Sequence, residues 1–413
     1  MSSANQVLVL NCGSSSFKFA LLNSETGTET LSGLAERLGS DDASITFKRN
    51  GNKNSLSLND KNRHLDAIKT LVSYLETEGL SNDIAAVGHR VVHGGEKFTE
   101  SVVIDSSTIK SIEDVSSLAP LHNPANLIGI EAAMVAFPGI PQVAVFDTAF
   151  HQSMPAKAYL YAIDKQLYKE KGIRRYGFHG TSHFYVSRQA AESLAKQISE
   201  TSVITVHLGN GCSVCAIENG QSVDTSMGLT PMEGLVMGTR SGDLDPGITI
   251  YLMRKYGYDA DKLDQLLNKQ SGLLGLSGLS NDCRTLEQAL ESEDEQTQQS
   301  AQLALEVFSY RVAKYIASYT CALTHLDAVV FTGGIGENSD YLRSRIIAHL
   351  GVLGLSVDEA RNTAARFGHS GPIHGNDSRA AIWVIPTNEE LVIAQDAARL
   401  TFNHSQDNQQ QGA

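Results

Sequence analysis

Val7-Leu-Val-Leu-Asn11-Cys-Gly13-Ser14-Ser15-Ser16-Phe-Lys18-Phe-Ala-Leu-Leu22 returns in outline half-way along the chain as Val203-Ile-Thr-Val-His207-Leu-Gly209-Asn210-Gly211-Cys-Ser213-Val-Cys-Ala-Ile217. Each copy is an apolar strand, a break of small polar residues, and a second apolar strand, which reads as a β-hairpin. A tip of Gly, Ser and Asn brings backbone N–H groups close to an anion with no side chain in the way. Two such tips predict two related domains facing one phosphate-bearing ligand across a cleft.

The repeat extends outward from the hairpins. Residues 85–92 form an apolar run that ends in His93-Gly94-Gly95, and residues 326–331 form another that ends in Thr332-Gly333-Gly334. Two motifs recurring in the same order imply duplication. Further strands are expected at 44–48, 142–146 and 380–386, and helices at 66–80, 126–137 and 389–402. A helical insertion is expected near 156–170 and one long amphipathic helical region over 285–326. The polar start of that region, 287–300, reads as a solvated face. The polar residues 404–413 read as a disordered tail. Strands alternating with helices, in duplicate, make the chain an α/β two-domain protein.

The 413 residues exceed what a single core organises, and 41% hydrophobic with 19% charged residues is ordinary for a globular protein. A net charge of −13 argues against nucleic acid or an anionic membrane as partner, because both need a basic footprint. An anionic substrate then has to be met by local positive charge. No apolar run approaches the ~20 residues of a membrane span, and the N-terminus lacks the pattern of a signal peptide. Five cysteines fit a reducing, cytoplasmic setting. Cys212 and Cys215 form C-x-x-C, but residues three apart on a strand point to opposite faces, so they read as packing residues. His179 and His183 stand at i,i+4 without the Glu of a zinc-protease helix, so His183 reads as structural.

The common nucleotide motifs are missing. No G-x-x-x-x-G-K-[ST] occurs, and Gly333-Gly334-Ile335-Gly336 lacks the spacing of a dinucleotide fingerprint. What is present is a series of segments in order. It runs Asn11-Cys-Gly13-Ser14-Ser15-Ser16-Phe-Lys18, Gly88-His89-Arg90-Val-Val92-His93-Gly94-Gly95, Phe146-Asp147-Thr-Ala-Phe-His151, and Tyr176-Gly-Phe178-His179-Gly-Thr-Ser-His183. It continues with His207-Leu208-Gly209-Asn210-Gly211, Gly238-Thr-Arg240-Ser-Gly-Asp-Leu-Asp-Pro, Phe331-Thr-Gly333-Gly334-Ile335-Gly336-Glu337-Asn338, and Pro386-Thr-Asn-Glu389-Glu390. Together these resemble the acetate kinase (acetokinase) family over essentially the whole chain. The resemblance implies the fold shared by sugar kinases, heat-shock chaperone ATPase domains and actin. That fold has two duplicated ribonuclease H-like domains around a nucleotide cleft. It implies a first domain of residues 1–150 completed by 390–413, and a second of 151–389.

The residues carry definite expectations. Arg90 and Arg240 sit in Gly-flanked segments of an acidic chain. Their guanidinium forks suit a carboxylate or a transferring phosphoryl group. His179 offers an imidazole N–H to the same oxygens. Asp147 ends a buried strand. A carboxylate substrate, with a reference pKa of about 4, is already ionised at neutral pH. Asp147 is therefore expected to position groups near Asn11 and Glu389 rather than act as a base. The resemblance implies that Asn11 and Glu389 hold Mg²⁺, for which Mn²⁺ can substitute. It further implies that ATP/ADP is contacted by Lys18, His207, Leu208, Gly209, Asn210, Gly211, Asp282, Cys283, Arg284, Gly333, Gly334, Ile335, Gly336 and Glu337. An apolar pocket for the substrate methyl group, from Val92, Leu121, Phe178 and Pro231, rests wholly on the resemblance, as does a homodimer.

The expected reaction is direct, in-line transfer of the γ-phosphoryl group of ATP to acetate, giving acetyl phosphate. Domain closure would exclude water. The alternatives are a propionate or butyrate kinase, and a nucleotide-gated binding protein of the chaperone or actin type. Arg90 and Arg240 discriminate the second of these, which has no acyl acceptor to hold. If a thiol at Cys12 or Cys283, between functional neighbours, is sensitive to oxidation, nucleotide binding is expected to suffer.

Overall fold

Period-two alternation gives the first hairpin two buried faces. The computed structural model describes residues 6–58, 63–120 and 122–410. In it β1 (Gln6–Cys12) and β2 (Phe17–Asn23) pair antiparallel, with Leu8 opposite Leu21 and Leu10 opposite Phe19. Those side chains share a core with Cys12, Phe17 and, from helix Arg63–Thr77, Ile68, Leu71 and Leu75. Val7, Val9, Ala20 and Leu22 point the other way, onto Ile393, Ala394 and Ala397 of the closing helix Glu389–Gln410. Each fully buried aliphatic side chain contributes about 1.5–3 kcal/mol, so a strand covered on both faces is strongly held.

The chain divides into two compact units, Met1–Phe150 with Asn388–Ala413, and His151–Thr387. The first is built on β1, β2, β3 (Glu29–Glu36), β4 (Ser44–Arg49), β5 (Asn52–Ser57), β6 (Ile84–Val91), β7 (Val102–Val103) and β8 (Gln142–Phe146). Their order in the sheet is β5-β4-β3-β2-β1-β6-β8-β7. The second unit has β9 (Ser202–Leu208), β10 (Cys212–Glu218), β11 (Gln221–Thr225), β12 (Ala328–Thr332), β13 (Gly371–Pro372) and β14 (Ala381–Val384), ordered β11-β10-β9-β12-β14-β13. The segments β3-β2-β1-β6-β8 and β11-β10-β9-β12-β14 are the same arrangement. In both, the first three strands are antiparallel and the last two run parallel to the third. The duplication expected from the two hairpins is therefore present in the topology.

Several expectations are corrected. The polar stretch after the first hairpin, in which only short strand-like pieces such as 44–48 were expected, carries three strands of six to eight residues. β5 is exposed along its whole length, so no apolar alternation marks it. The region 285–326 is not one helix. Helix Cys283–Ala289 stops, and Asp294 caps a new helix, Glu295–Tyr319, by accepting from the Thr297 N–H at 3.0 Å. Its polar start is not uniformly solvated, because Glu287 is half-buried and accepts a hydrogen bond from Ser339. The Gly-Gly segments after β6 and β12 also differ. Gly333–Asn338 is helical, whereas residues 92–95 form no helix. The closing helix runs on to Gln410, through most of the expected disordered tail; residues 411–413 lie outside the described residues.

Candidate active site

In the first unit the face that carries the closing helix also carries the candidate residues, at the C-terminal ends of its parallel strands. Val7 and Val9 continue to Asn11, and Val143 and Val145 continue to Asp147. Gly88 continues to Arg90. A side-chain carbon on Gly88 would stand 2.6 Å from Ile393 Cγ2, so glycine is what lets the helix seat against this row. Asn11 lies directly opposite Lys18 in the hairpin register. Arg90 donates from Nε at 2.9 Å and Nη2 at 2.6 Å to the two carboxylate oxygens of Asp147, while Nη1 reaches Asn11 Oδ1 at 3.5 Å. Burial works against the charge on Arg90, but Asp147, Glu389 and Glu390 hold its pKa above the ordinary value. Burial pushes the Glu389 carboxyl up to about 7; Asp147 and Glu390 add to the rise, and Arg90 and Lys18 oppose it.

In the second unit the tip between β9 and β10 gathers the candidate nucleotide residues. Asn281 Nδ2 donates to Asn210 Oδ1 at 3.3 Å, which ties the tip to the segment with Asp282, Cys283 and Arg284. Asp282 caps its helix and pairs with Arg284, whose side chain is largely exposed. Gly333 takes φ +78°, and an added carbon there would stand 2.7 Å from the Leu208 carbonyl oxygen, so the 333–337 segment lies against the tip. Glu337 Oε1 accepts from the Gly333 N–H at 2.9 Å and the Thr387 N–H at 3.1 Å, closing that turn. Gly334 has open space where a side chain would be.

Arg240 and His179 converge on Gly211. A carbon added to Gly211 would be 3.5 Å from His179 Nε2 and 3.7 Å from Arg240 Nη1. Arg240 has one weak hydrogen bond, from Nη1 to the Pro231 carbonyl at 3.4 Å, and no ion pair among the described residues. Burial lowers its pKa from the ordinary value. Its loop is braced on two sides. The Gly238 N–H donates to the Asn210 carbonyl at 3.1 Å, and the N–H groups of Leu273 and Leu274 donate to the carbonyls of Met237 and Gly238. Gly238 has no room for a side chain, since an added carbon would be 2.3 Å from Asn210 Oδ1. His179 is left-handed at φ 58°, ψ 25°, directly before helix Gly180–Ser193. That conformation is uncommon outside glycine and here aims the imidazole.

His179 and His207 stack with centroids 4.2 Å apart. Ser213 Oγ lies 2.9 Å from His179 Nδ1 and 2.8 Å from His183 Nε2. Thr205 Oγ1 lies 2.7 Å from His183 Nδ1, and Ser182 Oγ 2.8 Å from His207 Nδ1. His183 is buried within this network. Of the expected methyl-pocket residues, Val92 belongs to the first unit, Phe178 and Pro231 to the second, and Leu121 lies outside the described residues. The Cys12 and Cys283 thiols are both buried: burial pushes Cys12 up to about 12 and raises Cys283 strongly as well. Buried thiols are poor nucleophiles, which argues against sensitivity to oxidation at either.

Sequence reading missed the groups that hold the site. Asn126 accepts from the Val92 N–H and donates to the Cys12 carbonyl, and Asn123 engages both backbone groups of His93. His64 Nε2 lies 2.6 Å from the Gly13 carbonyl of the first tip. Polar Thr205 and Ser213 within largely apolar buried strands were signals of this kind.

The geometry agrees with comparisons to known proteins. The Acetokinase family model matches residues 6–395. The chain belongs to the acetokinase family. An acetate kinase of Shewanella baltica is 58% identical over 96% of this chain and 99% of its own length. A crystal structure of a propionate kinase from Francisella tularensis superposes with TM-score 0.91 at 46% identity, covering 96% of this chain and all of that one. The acetate kinase of Porphyromonas gingivalis gives TM-score 0.90 at 43% identity over 96% of this chain and 100% of that one. The family consists of phosphotransferases that use a carboxyl group as acceptor and ATP/ADP as co-substrate, on two duplicated actin-like domains. No helix among the described residues is long and apolar enough to cross a membrane.

Proposed function

We propose that the chain is an acetate kinase in which Arg240 and His179 stabilise the phosphoryl group in flight and Arg90 serves the carboxylate acceptor. The observation that carries this reading is Arg240, a half-buried guanidinium beside the His179 imidazole with no acidic partner among the described residues. Such a charge gains most from an anion whose negative charge is shared among several oxygens. Phosphoryl transfer demands little covalent chemistry of the protein, so positioning and charge account for catalysis. Arg90 keeps its side edge on Asp147, and its Nη1, which reaches Asn11 Oδ1 at 3.5 Å, would turn to the ligand, so it would act as a one-point handle. Asp147 fixes that handle and is not required as a base.

The tip 207–211 with Asn281, Asp282, Cys283, Arg284 and residues 333–337 would hold ATP or ADP, its backbone N–H groups meeting phosphate and Gly334 leaving a flat approach. Mg²⁺, with Mn²⁺ as substitute, fits the first unit. Asn11, Asp147 and Glu389 are hard oxygen donors gathered around Arg90. Such donors suit an ion that keeps several waters, held by Asn11 and Glu389. When bound it would neutralise phosphate charge. Localisation in the cytoplasm and a homodimer complete the reading. The dimer is supported by helix Pro246–Tyr256, on which Ile248, Ile250, Tyr251, Met253 and Tyr256 are all exposed.

Propionate is a second acceptor to consider, because a propionate kinase shares 46% identity with the chain. One methylene in an apolar pocket changes specificity by only about 1–3 kcal/mol. The test is ATP-dependent acyl phosphate formation, trapped as hydroxamate, with acetate, propionate and butyrate on wild type and Arg240→Ala. Highest kcat/KM on acetate with a large loss in the variant is the expected result. ATP turnover without acyl phosphate from any acid would sink the reading.

A further inference from the structure

Behind His179 stands a line of polar groups that no step above uses. It runs Thr205 Oγ1, His183, Ser213 Oγ, His179 Nδ1, with separations of 2.7, 2.8 and 2.9 Å. Thr205, His183 and Ser213 are fully buried. Strand register explains their meeting. Ser213 pairs with His207 and Cys215 with Thr205 across β9 and β10, so these side chains share the face that receives helix Gly180–Ser193.

A buried imidazole that stays neutral carries one proton, so one ring nitrogen donates and the other accepts. Burial holds the His183 pKa well below its ordinary value, with His151 and His207 adding to the shift, so His183 is such a group. The line then has two complete arrangements. In one, His179 Nδ1–H donates to Ser213, Ser213 donates to His183 Nε2, and His183 Nδ1–H donates to Thr205; a neutral His179 would then present a bare Nε2. In the other, every bond reverses. Thr205 donates to His183 Nδ1, His183 Nε2–H donates to Ser213, and Ser213 donates to His179 Nδ1. His179 then carries its proton on Nε2, the atom that faces Gly211 beside Arg240.

We propose that Ser213, backed by His183 and Thr205, is a positioning residue that holds His179 as the Nε2–H tautomer, with its donor aimed at the transferring oxygens. The proposal rests on the reading of His179 as a donor to the phosphoryl group. A hydroxyl between two imidazoles suits this role because it donates to one ring while accepting from the other. Neither an apolar side chain nor a carbonyl does both. His151 shows the contrasting fixed case. Its Nε2 lies 3.0 Å from the Phe178 carbonyl, which only accepts, so Nε2 carries the proton and Nδ1 accepts from Ser222 Oγ at 2.8 Å. With serine rather than a carboxylate behind it, His179 faces an uncharged hydroxyl on its Nδ1 side.

The experiment combines kinetics with ¹⁵N NMR of the full-length protein labelled at histidine, the His179 signals being identified by their loss in His179→Gln. Wild type is expected to show His179 protonated at Nε2 and bare at Nδ1. Ser213→Ala should lower kcat by about ten- to a hundred-fold, the loss typical of removing an outer group that orients a histidine, with KM for ATP and acetate nearly unchanged. Ser213→Thr, which keeps the hydroxyl, should restore most of the rate. In the His179→Gln background, Ser213→Ala should cost nothing further, because Ser213 acts only through His179. Full kcat in Ser213→Ala, or a His179 protonated at Nδ1 in wild type, would overturn the proposal. If His179→Gln itself keeps full kcat, the underlying reading of His179 fails instead.

Discussion

Arg90 lays the edge of its guanidinium along the Asp147 carboxylate, Nε at 2.9 Å and Nη2 at 2.6 Å. Asp147 is almost fully buried and closes β8, and its backbone N–H donates to the Val91 carbonyl, so the carboxylate is fixed before any ligand arrives. Its work is to aim an arginine.

Asp147→Asn keeps the shape and removes the charge. The structure expects kcat/KM for the acyl acceptor to fall at least a hundred-fold. Charge-assisted hydrogen bonds of this kind are worth about 1.5–3 kcal/mol, so stability should fall by a similar amount. Steady-state kinetics beside a urea titration separates the two effects, and a variant with full activity would return Arg90 to independence.

Acid should weaken the fold in a defined window. Burial lowers His89, His93 and His151 to about 4 each, from an ordinary value of about 6.5. Between those limits the unfolded chain binds the more protons, so stability is complete above about pH 6.5 and is lost as pH falls towards 4. Each histidine should cost about 1–2 kcal/mol between about pH 7 and pH 5. Glu389, raised to about 7, has the opposite sign, since the folded state holds its proton longer. The histidines outnumber it, so urea midpoints should drop from pH 7 to pH 5; a flat profile would contradict their neutral burial.

Thiol titration gives a sharp count. Cys12, Cys212, Cys215 and Cys283 are buried and Cys321 is exposed. Burial pushes Cys12 and Cys212 up to about 12, which makes thiolate scarce at neutral pH. A disulfide reagent on the native protein should modify Cys321 alone, with activity retained, and the remaining thiols should appear only in denaturant. Inactivation of Cys321→Ser by the same reagent would reopen the buried thiols as regulatory.

Helix Pro246–Tyr256 has no buried residue, yet Ile250, Tyr251 and Met253 are each about half exposed. Ile250→Asp should convert a dimer to a monomer in light scattering after size exclusion. The variant should keep a native far-UV circular dichroism spectrum, because no residue buried within the chain is replaced. A dimer that survives the substitution would place the interface elsewhere.

Much of the fold was legible because buried strands advertise themselves. β1, β2, β9 and β10 alternate apolar residues around small-residue tips, and the parallel strands β6, β8 and β12 are near-continuous apolar runs. β5 was illegible because all six of its residues are exposed. The break at Asp294 was missed because helical spacing persists across it, while the cap depends on one side chain turning back on its own backbone. At the site, residues with distinctive chemistry stood out: Arg90, Asp147, His179, Arg240. Their supports did not. Asn126 holds the Cys12 carbonyl from 114 residues away, and Ser213 meets His183 from 30. No local pattern encodes such meetings; the fold makes them.

The bracing of the Arg240 loop has a consequence for how this sequence can vary. Gly238 touches Asn210 through its backbone and leaves no space beyond it, and helix Gly272–Ser277 closes the other side. An insertion at 209–211 or 237–240 would therefore displace both segments together and separate Arg240 from His179. Lineages of this enzyme should keep those lengths invariant, while gains and losses of residues accumulate around β5, an edge strand exposed along its whole length.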